Sequence, residues 1–333
     1  MTDKANNPSP EPSGLFVHGD WNTVADVHRF AHHAMATTFE IIVQHENKVY
    51  ARQAADAAFD ELDRIEHELS RYVENGDVAR INNLPAGQTL LLGLDTFECL
   101  RISAMVHAQT GGAFDVTVGL LVDCWRDKDK KPRTPSPEEL AFAREHTGMS
   151  LLDLDESRYT VQLAASPIRV DLGGIGKGYG VDRMAAMLRD WSIERALIHG
   201  GFSSVLALEA PQGIAGWPVT LSDPRDRSRT LARLNLRDVA VSGSGLEKGT
   251  HIIDPRIGRP IEGKIAAWSI APDAATGDAL STAFMVMSVT EVRQYCASHL
   301  GVAALLIVPP DSDGHRGERI VAAGSWREGE LVD

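Results

Sequence analysis

The segment Asp171-Leu172-Gly173-Gly174-Ile175-Gly176-Lys177-Gly178-Tyr179-Gly180 concentrates glycine around one carboxylate and one amine. Glycine lets backbone N–H groups approach an anion closely, and the Lys177 ammonium adds a point charge beside them. The spacing fits neither a P-loop nor a dinucleotide fingerprint, so a purely structural turn is the competing reading. A second set, Asp278-Ala279-Leu280-Ser281-Thr282, has helical spacing that puts Asp278, Ser281 and Thr282 on one face. One carboxylate with two hydroxyls is a sparse set of hard oxygens, suited to Mg²⁺ when a nucleotide phosphate completes the shell. Equally, Asp278 could cap a helix while the two hydroxyls bond back to carbonyls. His251, in His251-Ile252-Ile253-Asp254-Pro255-Arg256, titrates near neutrality and has the chemistry of a general base, although a lone His before a strand is more often structural. The Asp-Pro-Arg stretch with Gly258 serves equally as a turn. Gly111-Gly112-Ala113-Phe114-Asp115 and Ser70-Arg71-Tyr72 each place a ring beside a polar group, with a core Phe and a surface Tyr as the alternatives.

These residues need elements to hold them. Thr37 to Gln44 is β-branched and apolar, as a strand requires, and Ala55, Phe59, Leu62, Ile65 and Leu69 recur at helical spacing within 51–72. A second helix is expected over 95–109, ending at Gly111-Gly112, and a third opens at Ser136-Pro137-Glu138-Glu139. A strand over 161–171 leads into the glycine-rich turn, followed by a helix over 178–191. Strands are expected over 196–208 (broken at Gly200-Gly201), 264–270 and 302–308, with helices over 274–288 and 291–299. Ser242 to Gly249 reads as a Gly- and Ser-rich loop, and Arg126 to Arg133 as a solvated one. Strands and helices mix without strict βαβ alternation, which favours an α+β fold over a doubly wound sheet.

The chain has 333 residues and a formal net charge of −13. That balance argues against a nucleic-acid binder, whose phosphate contacts need a basic face. Cys99, Cys124 and Cys296 are odd in number and scattered, which suggests neither a disulfide framework nor a zinc site. No run approaches the roughly 18 apolar residues of a membrane helix. Residues 1–14 lack the apolar core of a secretory signal, so residues 1–20 are expected to be a disordered tail before one domain over 21–333, in a cytoplasmic protein.

Taken in order, the segments resemble the FAD:protein FMN transferase (ApbE) family. The stretches that carry the resemblance are His33-Ala34-Met35-Ala36-Thr37, Glu68-Leu69-Ser70-Arg71-Tyr72, Thr110 to Asp115 through Trp125, Val170 to Tyr179, His251 to Pro255 through Pro260, and Asp278 to Thr282. Together they span roughly residues 30–310. The resemblance implies a mixed fold related to the T-fold, with FAD in a cleft contacted by Met35, Tyr72, Ala113, Phe114, Asp115, Asp171, Lys177 and Ile252. It implies Mg²⁺ bound by the Gly174 carbonyl, Asp278, Ser281 and Thr282, and transfer of FMN from FAD to a Thr or Ser hydroxyl of a target flavoprotein with release of AMP. His251 or Asp278 would take the hydroxyl proton, with His251 preferred because a metal-bound carboxylate is a poorer base. A FAD pyrophosphatase and a non-catalytic FAD-binding protein are the alternatives. The chain departs from the family pattern in Phe202, where many relatives carry Asp after Gly-Gly, in Ala36, where the pattern has Gly, and in having no lipobox cysteine near its start.

Overall fold

The computed structural model describes residues 24–129, 131–201, 203–246, 252–310, 317–327 and 330–332. The expected tail, Phe202 and His251 lie outside them. A hairpin of β1 (Val27–Ala34) and β2 (Thr37–Gln44) leads into α1 (Lys48–Leu69). Asn47 caps this helix by accepting the N–H groups of Val49 and Tyr50, and its apolar stripe, Ala55, Phe59, Leu62, Ile65 and Leu69 included, is buried. Next come α2 (Asp77–Asn82), β3 (Thr89–Leu91) and α3 (Leu94–Gln109), which stops at Gly111 and Gly112, both with positive φ. After α4 (Gly119–Cys124), α5 (Pro137–Glu145) opens on a complete capping box between Ser136 and Glu139. Strands β4 (Leu152–Asp155) and β5 (Thr160–Leu163) pair with β3 in a small sheet.

The second half brings α6 (Gly176–Asp190), then β6 (Ala196–Gly200), β7 (Ser204–Ala207), β8 (Trp217–Asp223), β9 (Asp226–Leu236) and β10 (Val239–Gly245). It continues through β11 (Ile253–Asp254), β12 (Arg259–Pro260), β13 (Ala266–Ala271), α7 (Ala274–Val286), α8 (Val289–Ser298), β14 (Ala303–Val308) and β15 (Arg319–Ala323). The main sheet runs β1-β2-β6-β7-β10-β13-β14-β15, antiparallel throughout. Its strands alternate between two buried faces. Ala196 and Ile198 pack with α1 and α6, whereas Leu197 joins Trp217, Val219, Leu221 and Trp268 beneath the β8–β9 hairpin. The mixed, non-alternating order is the α+β arrangement expected.

Three expectations need correction. The strand over 161–171 ends at Leu163, because Pro167 has no N–H to give a ladder; beyond it the chain is tied instead through Val170 N–H to Asn82 and Asp171 N–H to Val116. The helix after the glycine turn starts at Gly176 rather than 178. Ser242 to Gly245 is not loop but the end of β10, where Gly243 pairs with Trp268 and Gly245 with Ala266. Its small residues serve close packing: a Cβ on Gly277 of α7 would lie 3.2 Å from the Ser242 hydroxyl.

The β1–β2 turn has two central residues, Met35 at φ 49° and Ala36 at φ 57°, the left-handed pair of a type I′ hairpin. A Cβ in that region costs about 1 kcal/mol. Ala36→Gly is therefore expected to stabilise the fold by about 0.5–1 kcal/mol, somewhat less than the strain because glycine also loosens the unfolded chain. Urea unfolding checks this.

His199 lies inside the main sheet with Nε2 lacking a hydrogen-bond partner among the described residues, and burial pushes its imidazolium down to about 3. The unfolded histidine titrates near 6.5, so the folded state refuses a proton that the unfolded chain accepts between those values. Its contribution to stability is present above pH 6.5 and is lost as pH falls toward 3, at about 1.4 kcal/mol per pH unit. Denaturant titrations at several pH values should show that slope reduced by that amount in His199→Leu.

Candidate functional site

One wall of the site is built where α6 meets α7. A Cβ on Gly178 would overlap the Ala274 carbonyl, so only glycine lets the two helix starts approach this closely. Asp182 of α6 completes the junction by accepting the N–H groups of Ala274 and Ala275, each at 2.8 Å, while Asp273 caps α7 through Thr276 N–H. At the other end of α7 the buried Lys264 ammonium donates to the carbonyls of Met285 and Met287, and burial pushes it down to about 8. Pinned at both ends, α7 carries Asp278 and Thr282 to a fixed place.

That place is a cleft of about 810 Å³, toward the upper end of small-molecule sites. The β1–β2 turn supplies Met35 and Ala36, the end of α1 supplies Ser70 to Tyr72, and the turn after α3 supplies Ala113 to Asp115. Asp171, Gly173, Gly174, Gly176 and Lys177 line it from the glycine turn, Ile252 and Ile253 from the strand edge, and Asp278 and Thr282 from α7. Of the thirteen residues singled out from sequence, eleven line this one cleft. Ser281 is fully buried behind it, and His251 lies outside the described residues.

The glycine turn and α7 meet closely. A Cβ on Gly174 would sit 3.2 Å from Thr282 Oγ1 and 3.3 Å from the Phe114 ring. Asp278, 2% exposed, accepts from Gly178 N–H at 3.1 Å and from the Lys177 ammonium at 3.4 Å. Asp171 accepts from Gly173 N–H at 2.9 Å and faces the Arg71 guanidinium at 3.1 Å. Arg71 in turn donates to the Tyr72 hydroxyl at 2.9 Å and lies over its ring at 5.0 Å, so one guanidinium organises both a carboxylate and an exposed aromatic. Asp115 is engaged inward: it accepts from Thr117 N–H and hydroxyl and from Met149 N–H, and lies 3.3 Å from His107 Nδ1.

The chemistry of this wall can be tested against a cation. Asp278, the Thr282 hydroxyl and the backbone at Gly174 offer only hard oxygen donors, which fit Mg²⁺ and not zinc. Among the described residues no cluster of three or more His, Cys, Asp or Glu has metal-binding geometry, so ligand phosphate would have to supply the remaining charge. The wall fits a metal that arrives with a phosphate substrate.

Two residues were missed by the sequence reading as site residues. In sequence Arg71 reads only as a neighbour of Tyr72, because its pairing with Asp171 bridges segments distant in the chain. Ser244 gave no signal, because a serine among small residues looks like a loop; only β10 lying under α7 brings it within 2.8 Å of Ser281 and 3.2 Å of Thr282. No helix among the described residues is long and apolar enough to cross a membrane.

Comparison with known proteins agrees with this geometry. The model of the ApbE family matches residues 35–306. The FAD:protein FMN transferase of Klebsiella pneumoniae is 29% identical over 276 residues, 77% of this chain and 76% of that protein. That of Salmonella typhimurium is 29% identical over 264 residues, 74% and 75% of the two chains. Among solved structures, the ApbE protein of Thermotoga maritima superposes with a TM-score of 0.77 at 28% identity, over 89% of this chain and 97% of that one. The apo flavinyl transferase ApbE of Pseudomonas stutzeri does so at 0.76 and 25%, over 89% and 94%. The matched stretch contains every described wall of the cleft from Met35 to Thr282, and the chain belongs to the ApbE family.

Proposed function

We propose that this chain moves FMN from FAD to a Thr or Ser hydroxyl of a target flavoprotein, releasing AMP, with Mg²⁺ held by the Gly174 carbonyl, Asp278 and Thr282. It is a flavin transferase, as its ApbE relatives are named. The observation that carries the finer reading is the meeting of Gly174, Asp278 and Thr282 on one wall of a cleft large enough for a dinucleotide.

Bound Mg²⁺ supplies Lewis-acid polarisation of the diphosphate. The chain's own residues do the rest. Lys177, resting between the Gly173 carbonyl at 3.5 Å and Asp278, places an ammonium beside the phosphate position. Tyr72 and Phe114 offer ring surface to flavin or adenine, and Met35 and Ile252 apolar surface. His251, adjacent in sequence to the cleft residue Ile252, takes the proton of the acceptor hydroxyl. The hydroxyl oxygen then bonds to the FMN phosphorus as the bridging P–O bond breaks and AMP departs. Asp278 belongs to the metal wall rather than serving as the base, because a carboxylate that holds a cation is the poorer proton acceptor. Ser281, with its hydroxyl committed inside the protein, supports the metal wall from behind.

The test is incubation with FAD, Mg²⁺ and candidate acceptor flavoproteins, read by intact-mass spectrometry and AMP release. An FMN-sized addition on a Thr or Ser is expected. FMN and AMP appearing with every acceptor unmodified would instead assign a pyrophosphatase. Asp278→Ala is expected to reduce Mg²⁺-dependent turnover by a factor of about 100 or more with the circular dichroism spectrum retained. His251→Ala is expected to lose about 10²–10⁴ in transfer rate while FAD affinity, measured by fluorescence quenching, changes little.

A further inference from the structure

We infer that Ser244 is a positioning residue that orients the Thr282 hydroxyl so that its lone pairs face the cleft, an inference that rests on the metal reading above. Ser281 Oγ lies 2.9 Å from the carbonyl oxygen of Asp278, and a carbonyl can only accept, so the single proton of Ser281 is committed there. Ser244 Oγ lies 2.8 Å from Ser281 Oγ. With the Ser281 proton already used, Ser244 is the donor across that contact. Its own proton is then used as well, so at the 3.2 Å contact with Thr282 Oγ1 it can only accept.

The three hydroxyls therefore form a one-way relay, Thr282 to Ser244 to Ser281 to the Asp278 carbonyl. Its direction is set by the one member that cannot donate. The consequence falls on Thr282, which lines the cleft beside Gly174. A hydroxyl that binds a cation must offer lone pairs and direct its proton elsewhere, and Ser244 provides the acceptor that makes this so. Ser244 can reach because β10 pairs with β13 directly beneath α7, with Gly243 and Gly245 on either side of it. It touches no reacting atom and acts through Thr282.

Mn²⁺ binding followed by electron paramagnetic resonance, with ADP present to supply phosphate oxygens, tests this without turnover. Ser244→Ala is expected to weaken Mn²⁺ about tenfold, the lower end of the usual effect of a residue behind a metal ligand, and Ser244→Thr to restore it to within about twofold. Thr282→Val combined with Ser244→Ala should bind no more weakly than Thr282→Val alone, because the serine has nothing left to orient. In turnover, the Mg²⁺ concentration for half-saturation should rise in Ser244→Ala while kcat at saturating Mg²⁺ stays near that of the unaltered protein. Equal Mn²⁺ affinity in Ser244→Ala, or strictly additive losses in the double variant, would overturn the inference and leave the metal reading intact. A lowered melting temperature in Ser244→Ala that Ser244→Thr does not recover would also overturn it, by making the role merely structural. Absence of Mn²⁺ binding to the unaltered protein would overturn the metal reading itself.

Discussion

The contact between the starts of α6 and α7 is the constraint on which the site depends. Gly178 faces the Ala274 carbonyl with no space for a side chain, and through that gap its N–H reaches the carboxylate of Asp278. The same contact brings the glycine turn, which precedes α6, against Thr282, one turn beyond Asp278 along α7. Any side chain at 178 would push the helices apart and separate the donor set into two halves. Asp182 and Lys264 then fix the axis of α7, each satisfying backbone groups that a helix end leaves without partners.

The rest of the fold serves to make this junction rigid. Both faces of the main sheet are covered, one by α1, α6 and α7 and the other by the β8–β9 hairpin. A ligand site on such a double-sided layer sits on elements whose side chains are already locked by packing, which limits the reorganisation needed on binding. An ionic network around the buried Asp95 carboxylate adds to this. Tyr179, within the glycine-rich segment, donates to Asp95 of α3, and Arg64 and Arg183 hold the same carboxylate together with Glu61. Asp95 is kept below the usual carboxylate range despite its burial, because two guanidiniums and a phenol hydroxyl bind its ionised form. Segments before and after the cleft are thereby tied through one charge cluster.

Much of this was legible before any coordinates. The stripe Phe59-Leu62-Ile65-Leu69, the capping box at Ser136, the glycine stop after Gln109 and the apolar strand 303–308 are local patterns, and local patterns survive folding. The cleft residues were legible for a different reason: several short motifs in one order carry information that none has singly. What escaped depends on contacts distant in sequence. The β8 alternation of Trp217, Val219 and Leu221 was visible in principle, but the charged start of β9 disguised its partner. Ser244 and Gly245 read as loop because small residues are ambiguous between a turn and a strand pressed under a helix. Arg71 acquires meaning only once Asp171 arrives beside it.

A protein of net charge −13 must bind an anionic dinucleotide, yet charges farther than about 8 Å are largely screened at physiological salt, so the balance within the cleft decides. Among the described residues the lining carries Arg71, Arg126 and Lys177 against Glu66, Asp115, Asp171 and Asp278, three cations to four carboxylates. Arg71 is already paired with Asp171 and Lys177 with Asp278, so much of their charge is balanced within the wall. On the proposed reading, one divalent cation at the Asp278 wall changes the local sum from one negative charge to one positive. It also offers an alternative counter-charge to Asp278, so that Lys177 can turn to the phosphate. On that reading, a wall whose Arg71 and Lys177 are already paired with Asp171 and Asp278 gains positive charge together with its substrate rather than carrying it permanently.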